Sequence, residues 1–256
     1  MKNIAIITAR GGSKRIPKKN IRDFCGKPII AYSIRAALDS GLFDEVMVST
    51  DSEEIKAVAE QYGASVPFMR SEKNSNDYAV TADVLLEVLS EYKKLGKEYD
   101  YMCCLYPTAL FITSEKLKSA FQKMQETGAD ALTPVVKFSF PPQRAFVLRE
   151  GYLEFQYPEY AQTRSQDLEP IYHDCGQFYF YRTEAFFSTA VSKTSHTLAT
   201  SKGAVKDDKK TEQQEGHREG KRIKTIPFIL TETEVQDIDN EEDWKMAEFK
   251  FNMMKR

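Results

Sequence analysis

The chain has 256 residues, 41% of them hydrophobic, and a formal net charge of −2. It can therefore bury a substantial core, and it offers no general surface for nucleic acid. No run approaches the ~20 apolar residues of a membrane span, and a short apolar strand passes directly into charged loop at the start, unlike a secretory leader. Cys25, Cys103, Cys104 and Cys175 show neither C-x-x-C pairing nor a nearby histidine pattern, which argues against zinc and fits a reducing cytoplasm.

Residues 4–8 predict a buried strand that runs into Ala9-Arg10-Gly11-Gly12-Ser13-Lys14-Arg15-Ile16-Pro17-Lys18-Lys19-Asn20. Two glycines there allow a tight turn with exposed N–H groups, and five basic side chains, a hydroxyl and an amide accompany them. The loop suits a nucleotide triphosphate. Its spacing fits neither G-x-x-x-x-G-K-[ST] nor G-x-G-x-x-G.

Ile30–Ser40 predicts a helix with Ile30, Ile34, Ala37 and Leu38 on one face and Gly41 beyond its end. Glu45–Ser49 is a second strand, and Asp51 or Ser52 can cap the helix that follows. Residues 66–69 predict a third strand, 81–92 a helix and 101–106 a continuous apolar strand of the kind buried on both faces. Ser114 opens a further helix carrying Leu117, Phe121 and Met124, and 131–136 return as a strand. The alternation predicts a doubly wound α/β sheet, mostly parallel, spanning 1–256 as one domain.

The rhythm breaks over 138–172, rich in Pro, Gln, Arg and Tyr, and resumes with an aromatic strand at 176–182. Residues 192–224 hold almost no core formers and predict a mobile polar loop, with His196 and His217 solvated in it. A strand at 226–230 and a final helix capped by Asn240, with Trp244, Ala247, Phe251 and Met254 aligned, complete the chain.

Asp237 and Asp239 flank Ile238. In an extended segment both carboxylates point the same way, an arrangement suited to Mg²⁺. Glu241, Glu242 and Asp243 read more simply as charge at the start of the last helix. Tyr106-Pro107-Thr108 ends a parallel strand, where ligands of open α/β sheets usually lie. Asp77 and Thr81 stand just before a helix and, taken alone, read as capping residues. Arg164, in Thr163-Arg164-Ser165-Gln166, is by itself an exposed arginine in a polar loop, and Arg144 is a weaker counterpart. His173 is either a core or a ligand-facing histidine.

The basic loop resembles the N-terminal signature of the sugar-activating cytidylyltransferases, the enzymes that make CMP-sialic acid and its relatives. The resemblance covers 1–182 and 226 to about 250. It implies a Rossmann-like nucleotidyltransferase fold, with 138–172 as a projecting segment that pairs with a second subunit. It also implies a soluble cytoplasmic homodimer using CTP, Mg²⁺ and an acidic nine-carbon sugar. Arg10, Gly11, Gly12, Ser13, Lys19, Asn20, Asp77 and Thr81 would then bind the nucleotide. Asp237 and Asp239 would hold the metal, forming with Arg10 and Lys19 the catalytic set. Tyr106, Arg164, His173 and Gln177 would meet the sugar, with Arg164 on its carboxylate. Sialic acid enzymes carry Gln-Pro-Thr where this chain has Tyr106-Pro107-Thr108, and an Asn-Gly pair near His173–Gln177. The segments Arg15–Asn20, His173–Tyr179 and Val235–Asp239 look most like the branch acting on pseudaminic acid. Alternatives are N-acetylneuraminic acid, 3-deoxy-manno-octulosonic acid, or a nucleotide-binding protein that kept the fold without catalysis.

Overall fold

A computed structural model describes residues 1–189 and 223–254. In chain order the strands are β1 (Asn3–Thr8), β2 (Asp23–Phe24), β3 (Lys27–Pro28), β4 (Glu45–Ser49), β5 (Tyr101–Leu105), β6 (Ala131–Lys137), β7 (Phe146–Arg149), β8 (Tyr152–Phe155), β9 (Tyr172–Asp174), β10 (Phe178–Arg182) and β11 (Thr225–Leu230). The helices used below are α1 (Ile30–Ser40), α2 (Glu53–Gln61), α3 (Thr81–Lys94), α4 (Ser114–Thr127) and α5 (Glu241–Met254). The central sheet runs β11-β6-β10-β5-β1-β4, and β9 also pairs with β6. All its strands point one way except β9 and β10, which are antiparallel to their neighbours. The fold is the mostly parallel α/β sheet that the alternation predicts.

Side-chain alternation divides the core between two helical layers. Ala5, Ile7, Val46, Val48, Cys103 and Leu105 face α1, α2 and α4 through Ile34, Ile55 and Leu117. Ile4, Ile6, Met47, Met102 and Cys104 face α3 through Leu85, Val88 and Tyr92. Cys103 and Cys104 are fully buried on opposite faces of β5, where burial pushes both thiols up. Gly41 ends α1 with φ 62°, a backbone shape that glycine adopts without a Cβ penalty. Ser52, not Asp51, caps α2, accepting from the Ile55 N–H.

Residues 66–69 do not form the expected strand. The segment follows β4 with a bridge between Met47 and Ser65 and a bond from the Arg70 N–H to the Thr50 carbonyl. Pro67 removes a donor from the middle of it, so no ladder forms. Most of 192–224, with His196 and His217, lies outside the described residues.

Opposite β6, β9 and β10 make one interrupted strand. Leu132 faces Phe180 and Val135 faces Asp174, so three steps along β6 match six along its partner. The surplus is a bulge at 175–177, centred on Gly176 with φ 61°. Residues 138–171 lie outside the central sheet and contain the separate hairpin β7–β8, while Tyr172, expected with them, already belongs to β9. The last helix docks through Trp244, whose ring meets Phe24 edge-on at 5.4 Å, and through Phe251, 5.5 Å from the same ring.

Candidate active site

A cleft of about 590 Å³ opens where β1 and β5 end. Its walls carry Arg10, Ser13, Lys14, Arg15, Lys19 and Asn20 from the loop after β1, Asp77 and Thr81 from the entry to α3, Tyr106 and Thr108 after β5, and Asp237 and Asp239 before α5. Residues more than two hundred positions apart thus share one cavity at the carboxyl end of the sheet.

Asn20 is buried and donates to the Arg10 carbonyl at 2.9 Å, closing the basic loop on its own start. Arg10 reaches Asp77 at 3.0 Å, and Lys14 pairs with the other oxygen of the same carboxylate. Lys14 and Arg10 accordingly hold the Asp77 carboxyl below the usual carboxylate range. On the other side Arg15 meets Asp239 at 2.7 Å, while Lys19 donates to the Ile238 carbonyl at 2.5 Å and stands 3.9 Å from Asp239. Burial lowers the Lys19 ammonium from its ordinary value, partly offset by Asp239 and then Asp237. Lys18 turns out of the cleft to Glu54.

The glycines turn the chain tightly, the Ser13 N–H reaching the Gly11 carbonyl at 2.9 Å, but without left-handed backbone. Neither Gly11 nor Gly12 is among the glycines with positive φ. Gly11 also leaves clearance for a neighbour: a Cβ there would sit 3.1 Å from the Ser52 Cβ, a tight approach, and its N–H is taken by Asp51 at 2.8 Å. A Cβ on Gly12 would meet open space.

Around Asp237 the alternation is as expected: Ile238 is fully buried beneath α5, and both neighbouring carboxylates line the cleft. Asp243 and Asn240 keep the segment in shape. The Asp243 carboxylate accepts from the N–H groups of Asp239 and Asn240, and the Asn240 side chain accepts from those of Glu242 and Asp243. Loss of solvent in the cleft, then the neighbouring Asp239, raises the Asp237 carboxyl above its ordinary value. Among the described residues no group of three or more His, Cys, Asp or Glu could hold a metal ion. Two convergent carboxylates suit Mg²⁺, which takes few protein ligands and commonly completes its shell with water and substrate phosphates.

Asp237 also borders a second recess of about 410 Å³, lined by His173, Asp174, Cys175, Gly176, Tyr179 and Val235. Tyr179 donates to Asp174 at 2.7 Å, and its ring packs 5.6 Å from that of Tyr106. Burial raises the Tyr106 hydroxyl, with Thr81 and Tyr179 beside it acting the other way. Asp237 is thus common to two cavities, one basic and polar, the other of mixed lining with Tyr179 and His173 on its wall.

Four expected residues line neither cavity: Gly11 and Gly12, already described, and Arg164 and Gln177. Arg164 is exposed beyond β8 and lines neither cavity, as does Arg144, which donates to Ser165. Gln177 is only 2% exposed and turns inward to the Glu234 carbonyl at 2.8 Å. Conversely, sequence reasoning missed Arg70. This buried arginine lines the cleft with its guanidinium held by Ser49, through Oγ at 3.0 Å and the carbonyl at 2.5 Å. An arginine closing the apolar run Val66-Pro67-Phe68-Met69 was the available signal. Asp174 and Tyr179 were likewise not singled out.

The family model described as "Cytidylyltransferase" matches residues 4–217. The chain is 46% identical over 187 residues to a pseudaminic acid cytidylyltransferase of Campylobacter jejuni, covering 73% of this chain and 81% of that protein. It is 33% identical over 202 residues to an N-acylneuraminate cytidylyltransferase of Streptococcus agalactiae, covering 78% of this chain and 48% of that protein. In fold it is similar to a CMP:2-keto-3-deoxy-manno-octonic acid synthetase solved with CTP. That likeness has a TM-score of 0.65 at 19% identity and covers 99% of this chain and 100% of the other. The chain belongs to the cytidylyltransferase family.

Proposed function

We propose that this enzyme transfers CMP from CTP to the anomeric hydroxyl of pseudaminic acid, releasing pyrophosphate. The observation that carries the reading is Asp237, a carboxylate shared by a basic cleft suited to a triphosphate and an adjoining recess of sugar size. The 46% identity to the Campylobacter jejuni enzyme favours pseudaminic acid over sialic acid.

In this reading Arg10, Ser13, Lys19 and Asn20 hold the phosphates, and Gly11 and Gly12 shape the loop that carries them. Asp77, Thr81 and Arg70 bound the rest of the nucleotide. Tyr106 and His173 face the sugar. Asp237 and Asp239 hold Mg²⁺, which supplies charge neutralisation at the phosphate oxygens. The sugar oxygen forms its bond to the α-phosphorus and passes its proton to water in the open cleft, while the bond to pyrophosphate breaks and that group leaves with the electron pair. The chain's part is positioning and electrostatics: it aligns the two reactants across Asp237, and Lys19 and Arg10 offset the charge that develops on the leaving pyrophosphate.

The enzyme acts as a homodimer through β7–β8. Pairing of Phe146 with Phe155 and of Leu148 with Leu153 gathers four apolar side chains on one hairpin face, with Leu148 71% and Leu153 70% exposed. Arg164, close in sequence to this arm, then serves the sugar carboxylate in the assembled dimer. No described helix is long and apolar enough to cross a membrane, and we place the reaction in the cytoplasm.

Pyrophosphate release with CTP and Mg²⁺, comparing pseudaminic acid with N-acetylneuraminic acid, tests the reading. Release with the first alone is expected. Release with the second alone overturns the substrate, and silence with both overturns the reaction.

A further inference from the structure

The backbone that delivers Asp237 and Asp239 is anchored just upstream, chiefly at Glu234, which lines neither cavity. Residues 231–235 precede the two aspartates, and three separate elements reach in to hold them. Lys116, on the first turns of α4, pairs with Glu234 at 3.0 Å and donates to the Phe111 carbonyl at 2.8 Å. Gln177, in the bulge between β9 and β10, donates to the Glu234 carbonyl. Lys250, on α5, donates to the carbonyls of Glu232 and Val235 at 3.1 and 2.8 Å. Glu234 completes the knot: its second carboxylate oxygen accepts from the N–H and hydroxyl of Thr231, leaving neither oxygen free.

The chemistry chosen here exceeds what packing requires. Gln177 is 2% exposed and its Oε1 has no protein partner. A buried amide with one end unpaired costs stability that a leucine would not, so what the glutamine contributes is its bond to Glu234. Lys116 is largely buried, at 16% side-chain exposure, and removal from water is costly for an ammonium unless its partners are fixed. These are the features of groups that hold a neighbour in place.

We infer that Lys116 and Gln177 are positioning residues for the metal-binding carboxylates, acting through Glu234 to set where Asp237 and Asp239 stand. The inference rests on the assignment of Mg²⁺ to those aspartates. Gln177 belongs to the same bulge as Cys175 and Gly176 of the sugar recess, so one side chain joins the wall of that recess to the metal segment.

Calorimetric titration of the full chain with Mn²⁺, in the presence of a non-hydrolysable CTP analogue, tests this. Lys116→Met and Gln177→Leu should each weaken Mn²⁺ by about tenfold, the lower end for residues that orient metal ligands. Lys116→Arg, which keeps the charge, should recover most of the loss, and affinity for the analogue without metal should stay at the wild-type value. A lowered melting temperature with unchanged Mn²⁺ affinity in both variants would overturn the inference, leaving a purely structural anchor. Should Lys116→Met fail to fold, Gln177→Leu, close in volume and uncharged, decides alone. Asp239→Asn separates the two levels. If it abolishes Mn²⁺ binding while both anchor variants keep the wild-type Mn²⁺ affinity, only the positioning role falls. If it too leaves binding intact, the metal assignment falls and the positioning role with it.

Discussion

Arg15 Nη2 stands 2.7 Å from Asp239 Oδ1, so the loop after β1 and the segment before α5 are latched across the cleft. Both side chains are well exposed, at 67% and 43%, and such pairs contribute about 0–1 kcal/mol. The latch therefore can yield to a ligand, with phosphate oxygens taking Arg15 and a cation taking Asp239.

Asp239→Asn follows from this contrast between structural and functional weight. The variant should fold, with its melting temperature within about 2–4 °C of wild type, since at most about 1 kcal/mol is at stake. Turnover should fall by about 100-fold or more, because a metal-ligand charge is lost where the transition state needs it. Pyrophosphate release at saturating Mg²⁺, set beside a thermal melt, checks both halves. Near-normal turnover would remove Asp239 from the metal.

Lys19 gives the pH dependence. Burial lowers its ammonium below 10.5, so the folded protein releases this proton before the unfolded chain does. Between the folded and unfolded values the unfolded chain binds more protons, and stability from this group rises with pH. Phosphate affinity moves the opposite way, since a neutral Lys19 no longer attracts the triphosphate. CTP affinity should thus weaken at a pH below the ordinary lysine range without a parallel loss of stability, and Lys19→Arg should flatten that limb. Isothermal titration between pH 7 and pH 10, paired with melts, reads both trends. An identical limb in Lys19→Arg would assign it to another group.

What the sequence made legible follows the kind of signal each residue carries. Asp237 and Asp239 were readable because alternation about a buried isoleucine leaves the carboxylates one direction to share, and Ile238 is fully buried. The strands and helices around Ala5, Ile34 and Leu85 were readable from periodicity. Arg70 was not, because a buried arginine and a surface one are the same letter; its site depends on Ser49 arriving from a different element. Gln177 was placed toward the sugar by its neighbours in sequence, yet a three-residue bulge turns it to Glu234. Gly11 was read as a turn former, and the Ser13 N–H does close a turn on its carbonyl; its clearance for Ser52 is a contact between loops that no local pattern encodes.

Tyr106 governs the choice of sugar in this reading. Its ring lines the cleft and packs at a tilt of 58° against that of Tyr179, which lines the recess and is tied to Asp174, so the side chain stands at the join of the two cavities. Tyr106→Gln installs the residue that the related sialic acid enzymes carry there. The ratio of kcat/KM for N-acetylneuraminic acid to that for pseudaminic acid should rise by about tenfold, the scale of a single pocket contact. Unchanged discrimination would move specificity to His173, Asp174 or the projecting arm.

The hairpin provides the last prediction. Leu148 and Leu153 are directly paired and both about 70% exposed, and Phe146 and Phe155 extend the same face with ring centroids 4.5 Å apart. Water tolerates isolated apolar side chains, but four on one face of a two-stranded hairpin call for a partner. Leu148→Glu places a charge in the middle of that surface while leaving the central sheet untouched. Light scattering coupled to gel filtration should report a dimer for the wild type and a monomer for the variant, with the melting temperature of the sheet domain little changed. Activity then discriminates further. If Arg164 reaches the sugar only in the assembled dimer, the monomer should show a raised KM for the sugar and an unaltered affinity for CTP. A monomeric wild type would discard both the dimer and this role for Arg164.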